Sequence, residues 1–237
     1  MTDIFGKAAL DYFNGEYTED IKTLSSLGDE DIIPVPYLFR SFEEMPLLEQ
    51  KALQLCKGQT LDIGCGAGSH SLYLQNQGVA VTALDASIGS IEVCKKRGVK
   101  STRYISIENY TEFQYDTLLL LMNGIGLAGT LQNLEGFLLH LKTLLKPKGQ
   151  IVLDSSDIIY MYDEDEDGGV WVPGDLDYYG EISFYLEYKN EKSGRFNWLY
   201  IDFETLSQEC QKVNLNCDLV ISGDHYDYLA KLSHKTE

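Results

Sequence analysis

The segment Leu61-Asp62-Ile63-Gly64-Cys65-Gly66-Ala67-Gly68-Ser69-His70 constrains this chain more than any other. Residues 60–63 read as a short buried strand and residues 69–77 as a helix, so three glycines at alternate positions stand where a strand hands over to a helix. Glycine lets the backbone turn tightly there and approach a ligand, while the first turn of the helix offers N–H groups without partners. Two acids accompany the turn. Asp62 precedes the first glycine, and Asp85, 21 residues after Gly64, ends the next apolar run at 79–84. A carboxylate at the end of that second strand can accept both hydroxyls of a ribose.

The alternation continues beyond this unit. Ser87 caps a helix that Gly98 ends, residues 103–107 form a weaker strand, and residues 116–122 form a leucine run of the kind that is buried on both faces of a sheet. A helix follows with Leu131, Leu134, Leu138, Leu141 and Leu145 on one stripe, and Lys146-Pro147-Lys148-Gly149 turns it into a strand at 150–154. Strand–helix alternation of this kind predicts an open α/β sheet with helices on both faces. On either side the pattern breaks. Residues 1–45 read as an irregular, aromatic-rich cap, followed by a helix with Leu48, Ala52 and Leu55 on one face. Residues 156–202 read as an insertion that holds an acidic run at 163–167, many tyrosines and a β-hairpin (182–188 with 195–201). A helix around Phe203, Leu206, Cys210 and Val213 and a last hairpin across Gly223-Asp224 complete a single domain of 237 residues.

Composition narrows the partners. Asp and Glu number 37 against 19 Lys and Arg, a net charge of −18, which repels phosphate backbones and anionic lipid heads. Nucleic acid and membrane are therefore not expected partners. Five cysteines, an odd number with no C-x-x-C pair, fit a reducing, cytoplasmic setting and argue against a zinc site. The run Asp163-Glu164-Asp165-Glu166-Asp167-Gly168 begins like a calcium loop, but position 174, where the loop needs Glu, is Gly174. It reads as a solvated loop or flap, and no metal is expected.

Four stretches in order, LDIGCGAG at 61–68, LDAS at 84–87, FQYDTLLLLMN at 113–123 and LLKPKGQIVLD at 144–154, resemble the class I S-adenosylmethionine-dependent methyltransferase family. The resemblance covers roughly residues 47–155. It implies a Rossmann-like seven-stranded mixed sheet whose last strand is antiparallel, with the inserted hairpin outside that sheet. It implies S-adenosylmethionine (SAM) as cofactor, with Asp62 and the backbone of Gly64, Cys65, Gly66, Ala67 and Gly68 at the methionine end, Asp85 and Ala86 at the ribose, Ile107 or Glu108 at the adenine, and Leu121 to Asn123 facing the sulfonium and the acceptor. Asn123 and His225 are candidate acceptor-site residues, Tyr37, Arg40 and Trp171 candidate substrate contacts, and His70 reads as a helix-start residue. The acceptor is expected to be a small molecule, and a homodimer is compatible with the exposed rings of the insertion. The alternatives are a domain that binds SAM or a partner without turnover, and an NAD-dependent oxidoreductase. The nicotinamide fingerprint wants its third glycine one position later, where Ser69 stands.

Overall fold

The computed structural model describes residues 2–162, 165, 169–172 and 177–235. Of the acidic run only Asp165 falls within these, so the calcium-loop and flap readings of 163–168, and Gly174 with them, lie outside the described residues. In chain order the elements are α1 (Ile4–Asn14), β1 (Ile21–Ser25), β2 (Glu30–Ile33), α2 (Leu47–Leu55), β3 (Gln59–Ile63), α3 (Ser69–Asn76), β4 (Ala80–Asp85), α4 (Ile88–Lys96), β5 (Thr102–Tyr104), β6 (Tyr115–Leu120), α5 (Leu131–Thr143), β7 (Leu145–Ser156), β8 (Glu181–Tyr188), β9 (Glu191–Lys192), β10 (Phe196–Leu199), α6 (Phe203–Lys212), β11 (Leu215–Ser222) and β12 (Asp227–His234).

Seven strands form the main sheet in the order β11-β12-β7-β6-β3-β4-β5. β3 to β7 are mutually parallel where they pair, and β12, the last strand, runs antiparallel to both β7 and β11. Strand order reverses between β3 and β6, which opens a crevice at their carboxyl ends, the place where sheets of this type take ligands. The leucine run explains why β6 sits centrally. Leu118 and Leu120 enter the core under α5 and α6, whereas Leu119 and Leu121 enter the core under α2, so alternate side chains are buried on opposite faces. Each fully buried leucine contributes about 1.5–3 kcal/mol of transfer free energy. At the 146–149 turn β7 is instead continuous from Leu145, with a break in register against β6 between Tyr115 and Thr117. β5 is shorter than the pattern suggested, because Ile107 starts a 3-10 turn.

The expected irregular N-terminal cap is a helix and a hairpin. β1 pairs with β2 on one side and with β8 on the other, in register Thr23↔Leu186, and β10 completes a second sheet, β10-β8-β1-β2, with β9 on β8. This pairing joins residues separated by some 160 positions, a distance over which local patterns carry no signal. Ile4, Ala8, Ile21, Val35, Leu186 and Tyr188 form the small core beneath it. Among the described residues no helix is long and apolar enough to cross a membrane.

α1 is fastened to α4 at a glycine contact. A Cβ on Gly89 would lie 2.5 Å from the backbone carbon of Gly6, and Asp3, the N-cap of α1, accepts hydrogen bonds from Ser87 Oγ at 2.9 Å and Gly89 N at 3.0 Å. We expect Gly89→Ala to lower stability by about 1–3 kcal/mol, the usual cost of overpacking. Urea denaturation measures it, and an unchanged midpoint would show that the two helices are not held this closely.

Candidate functional site

The glycine turn is built by the end of the neighbouring strand. The carbonyl of Leu84 on β4 accepts from both Gly64 N (2.9 Å) and Cys65 N (3.1 Å), and Asp85 accepts from Gly66 N at 2.9 Å. Gly64 and Gly66 hold φ of +73° and +52°, values that disfavour any side chain. A Cβ on Gly66 would meet nothing within 4 Å, and one on Gly64 only Leu127 at 3.9 Å. The first two glycines thus border open space, and their bare backbone is a cradle. Gly68 differs, because a Cβ there would stand 2.7 Å from Cys94 Sγ on α4. Cys65 and Cys94 pack with their sulfurs 3.7 Å apart, and burial together with the neighbouring Cys94 thiol pushes Cys65 well above the ordinary thiol range.

Three acids lie at or near the carboxyl ends of three strands along this edge. Asp85 also accepts from Ser87 N at 2.8 Å. Burial lifts its pKa to about 6 against these two N–H bonds, with Asp3 and Asp62 adding to the rise. Asp62 is buried and takes a 2.6 Å hydrogen bond from Ser71 Oγ, and desolvation raises it too. Asp154, two residues before the end of β7, accepts from Gly124 N at 3.3 Å and is likewise lifted by burial to about 6. Asp154 closes the strand expected at 150–154 but is not singled out by the sequence as a site residue, and in the structure β7 continues past it to Ser156.

The first turn of α3 ties the glycine turn to its surroundings through consecutive residues. Ser69 Oγ donates to Leu38 O at 2.9 Å, His70 Nε2 lies 2.8 Å from Glu49 Oε2, and Ser71 holds Asp62. Glu49 is also paired with Arg40, whose Nη2 donates to both carboxylate oxygens at 2.6 and 2.5 Å while Nη1 donates to Tyr37 O at 2.6 Å. The guanidinium stacks 3.9 Å from the Tyr37 ring. Burial pushes Glu49 up, but His70 and Arg40 outweigh it and hold the carboxyl below its usual range. His70 is therefore a buried partner of an acid as well as a helix-start residue. Glu49 had a legible signal, since it shares the buried side of α2 with Ala52 and Leu53, three and four positions on.

Leu121 is buried, and Met122 and Asn123 both lie in the left-handed region at φ of 63° and 57°. Two consecutive non-glycine residues there cost about 1–3 kcal/mol each unless the surroundings hold them. Asn123 Nδ2 donates to Leu199 O at 3.1 Å, its Oδ1 accepts from Ser155 Oγ at 2.9 Å, and Asp154 secures the following N–H. Asn123 thus fastens the sheet to the end of β10. Ile107 is buried, with its carbonyl 2.7 Å from His140 Nε2, and Glu108 beside it is exposed. Ala86 is exposed directly after Asp85. His225 is exposed in the β11–β12 turn, where its N–H donates to Asp227 at 3.1 Å, while Tyr226 of that turn stacks on Tyr160 with centroids 5.0 Å apart. Trp171 is 70% exposed. The fold therefore brings Asp62, the glycine turn, Asp85, Arg40 and Tyr37 into one connected network and anchors Leu121–Asn123 at the next strand end. It leaves Trp171 and His225 on the surface.

A glycine turn and an acid at the carboxyl ends of adjacent parallel strands form a ligand-receiving edge, and comparison with known proteins gives the class. A sequence profile described as a methyltransferase domain matches residues 61–153. A SAM-dependent methyltransferase from Bacteroides fragilis, solved in complex with S-adenosyl-L-homocysteine, is 43% identical, superposes with a TM-score of 0.92, and the match covers 99% of this chain and 95% of that one. A ubiquinone biosynthesis O-methyltransferase of Rickettsia felis is 31% identical over 105 residues, 43% of this chain and 42% of that protein, so the match spans less than half of that relative's length. The CcbJ methyltransferase of Streptomyces caelestis shares the fold, with a TM-score of 0.62 at 12% identity. The chain belongs to the class I SAM-dependent methyltransferases, an enzyme family whose methyl donor is SAM. That membership sets aside the oxidoreductase and non-catalytic alternatives.

The residues present fit that donor. The open cradle at Gly64 and Gly66 admits close approach of a ligand, Asp85 carries two acceptor oxygens, and the buried Arg40 Nε–H has no partner among the described residues. We expect Asp85→Ala to weaken S-adenosylhomocysteine binding by about 1.5–3 kcal/mol, the scale of hydrogen bonds to a charged group. The ionised carboxylate is the better acceptor of two hydroxyls. Affinity for the wild-type protein should therefore fall as pH drops through about 6, and the Asp85→Ala variant should lose that dependence. Isothermal calorimetry across pH tests both.

Proposed function

We propose that this enzyme methylates a small molecule, with the acceptor entering at the carboxyl edge between the N-terminal segment and the insertion and attacking in line with the donor's methyl. The observation that carries the reading is the second sheet. β1 from the N-terminal segment and β8 from the insertion pair along Lys22↔Glu187 to Ser25↔Phe184, so both added segments become one body beside the carboxyl edge. Exposed rings and thioethers include Tyr160, Met161 and Trp171 in the insertion, Tyr226 of the β11–β12 turn stacked on Tyr160, and Met122 just after β6. Such side chains suit a compact organic acceptor. A protein carrying a charge of −18 is poorly matched to a polyanion.

When bound, SAM supplies a methyl group already activated by a positively charged sulfur. The chain's own task is to position the acceptor and to exclude water. In this reading Asp62 and the backbone of 64–68 hold the methionine end, Asp85 the ribose, Ile107 and Glu108 border the adenine, and the Leu121–Asn123 turn forms the floor on which acceptor and methyl meet. An oxygen acceptor, as the names of the curated relatives suggest, would arrive protonated and need a base. Asp154 is our candidate, because it bonds Gly124 N beside that floor and a carboxyl lifted by burial to about 6 is ionised at neutral pH.

Incubation with methyl-labelled SAM and a fractionated cell extract tests the acceptor class. Label should appear in the small-molecule fraction, and label confined to protein or nucleic acid would overturn the reading. With the acceptor in hand, transfer should fall as pH drops below about 6, where Asp154 takes up its proton. Asp154→Asn should slow transfer by about 10²-fold, the lower range for loss of a general base. A wild-type rate in Asp154→Asn would remove Asp154 from that role.

A further inference from the structure

We infer that Glu49 is the positioning residue for the amino-acid end of the cofactor, acting through Arg40 and His70 without touching the cofactor itself. The three side chains form a sealed network, with 4%, 6% and 10% of the Arg40, Glu49 and His70 side chains exposed. Glu49 is its hub, because the Arg40 guanidinium and the His70 imidazole both reach the same oxygen, Oε2, at 2.5 Å from Arg40 and 2.8 Å from His70.

Stability alone gives this arrangement no advantage. Burying an ion pair costs desolvation that Coulomb attraction only partly returns, and apolar residues of the same volume often stabilise a fold as well or better. The location supplies a reason. His70 is the second residue of α3, two positions after Gly68 of the glycine turn, and its neighbour Ser71 holds Asp62. Arg40 lies at the end of the segment whose Leu38 carbonyl is held by Ser69, so it is pinned to the same helix turn from the other side. Glu49 thus fixes the Arg40 guanidinium on one flank of the glycine turn and the His70 ring on the other.

The hydrogen bonds sharpen this. Glu49 and the Tyr37 carbonyl occupy both terminal nitrogens of Arg40, yet the buried Nε–H has no acceptor among the described residues. A buried donor without a partner is a defect in a finished core and an asset beside a site whose ligand carries a carboxylate. The amino-acid end of SAM is a zwitterion. Asp62 offers negative charge to its ammonium, and the guanidinium held by Glu49 offers a donor to its carboxylate.

The inference rests on the cofactor site proposed above, and the test separates the two. S-adenosylhomocysteine and 5′-methylthioadenosine share the adenosine and the sulfur, but only the first carries the amino-acid end. In Glu49→Gln, calorimetry should give about tenfold weaker binding of S-adenosylhomocysteine, one charge-assisted contact's worth, with 5′-methylthioadenosine within about twofold of wild type. Equal losses for both ligands would make Glu49 a structural residue only and overturn the proposal, as would no loss for either. Arg40→Lys keeps the charge but changes the donor geometry, and it should show the same selective loss where Glu49→Gln fails to fold. If the wild-type protein binds neither compound, the cofactor-site reading itself falls.

Discussion

The carbonyl of Leu84 and the carboxylate of Asp85 organise this protein. Between them they accept the N–H groups of Gly64, Cys65 and Gly66, so the tip of β4 sets the path of the chain leaving β3. A turn that needs left-handed backbone at alternate residues is entropically expensive, because each glycine surrenders more freedom on folding than any other residue. Three hydrogen bonds from the adjacent strand end offset that cost. They also make cradle and sheet inseparable, since the β3–β4 register from Gln59↔Ala80 to Ile63↔Leu84 delivers the two acceptors to the turn. The third glycine closes the unit by letting α4 approach through Cys94.

Electrostatics at the carboxyl edge run against folding and toward binding. Asp85 and Asp154 both move from 3.8 to about 6, chiefly through desolvation. Ionising a shifted group of this size costs up to about 3 kcal/mol, less once solvent screening of the partly exposed side chains is allowed for. The folded pKa lies above the unfolded one, so the stabilising contribution is complete below about pH 4 and is lost as pH rises through about 6. At neutral pH the protein therefore holds these carboxylates charged at some expense. Glu49 is the contrast, an acid drawn below its usual range because His70 and Arg40 sit on it. A donor carrying a sulfonium and an ammonium brings positive charge to an edge already prepared with negative charge.

The central half of the fold was legible because its signals are local. The glycine spacing, the acid after β4 and the two-faced leucine run of β6 each report on a neighbour a few residues away, and together they predict the crevice. What stayed hidden depends on contacts across long separations. Residues 21–33 look irregular alone and become strands only against β8, whose Leu186 pairs with Thr23. Arg40 reads from the sequence as a candidate substrate contact, and only the fold shows that its partner is Glu49. Asn123 was marked for acceptor chemistry because it ends the central strand, yet both ends of its amide hold other parts of the chain, Leu199 and Ser155. A polar residue at a strand end is readable as important from sequence, but which of its atoms are left over for a ligand is a tertiary fact.

That distinction bears on how an added segment can govern a common catalytic core. The Met122–Asn123 turn is strained in isolation, and the groups that hold it come from two sources: Asp154 and Ser155 belong to the sheet, whereas the carbonyl of Leu199 belongs to the insertion. Ser155 Oγ also accepts from Ile201 N at 3.0 Å, so one hydroxyl bridges the central turn and the chain leaving β10. β10 pairs with β8, and β8 with β1. The second sheet is thus tied to the Met122–Asn123 turn through the Asn123 amide and the Ser155 hydroxyl. A packed interior resists small deformations, so such a turn is held in one place or released, not tuned continuously. The second sheet is therefore a structural support of this turn, and under the proposed function acceptor specificity would diverge through the N-terminal segment and the insertion while the glycine turn stays the same.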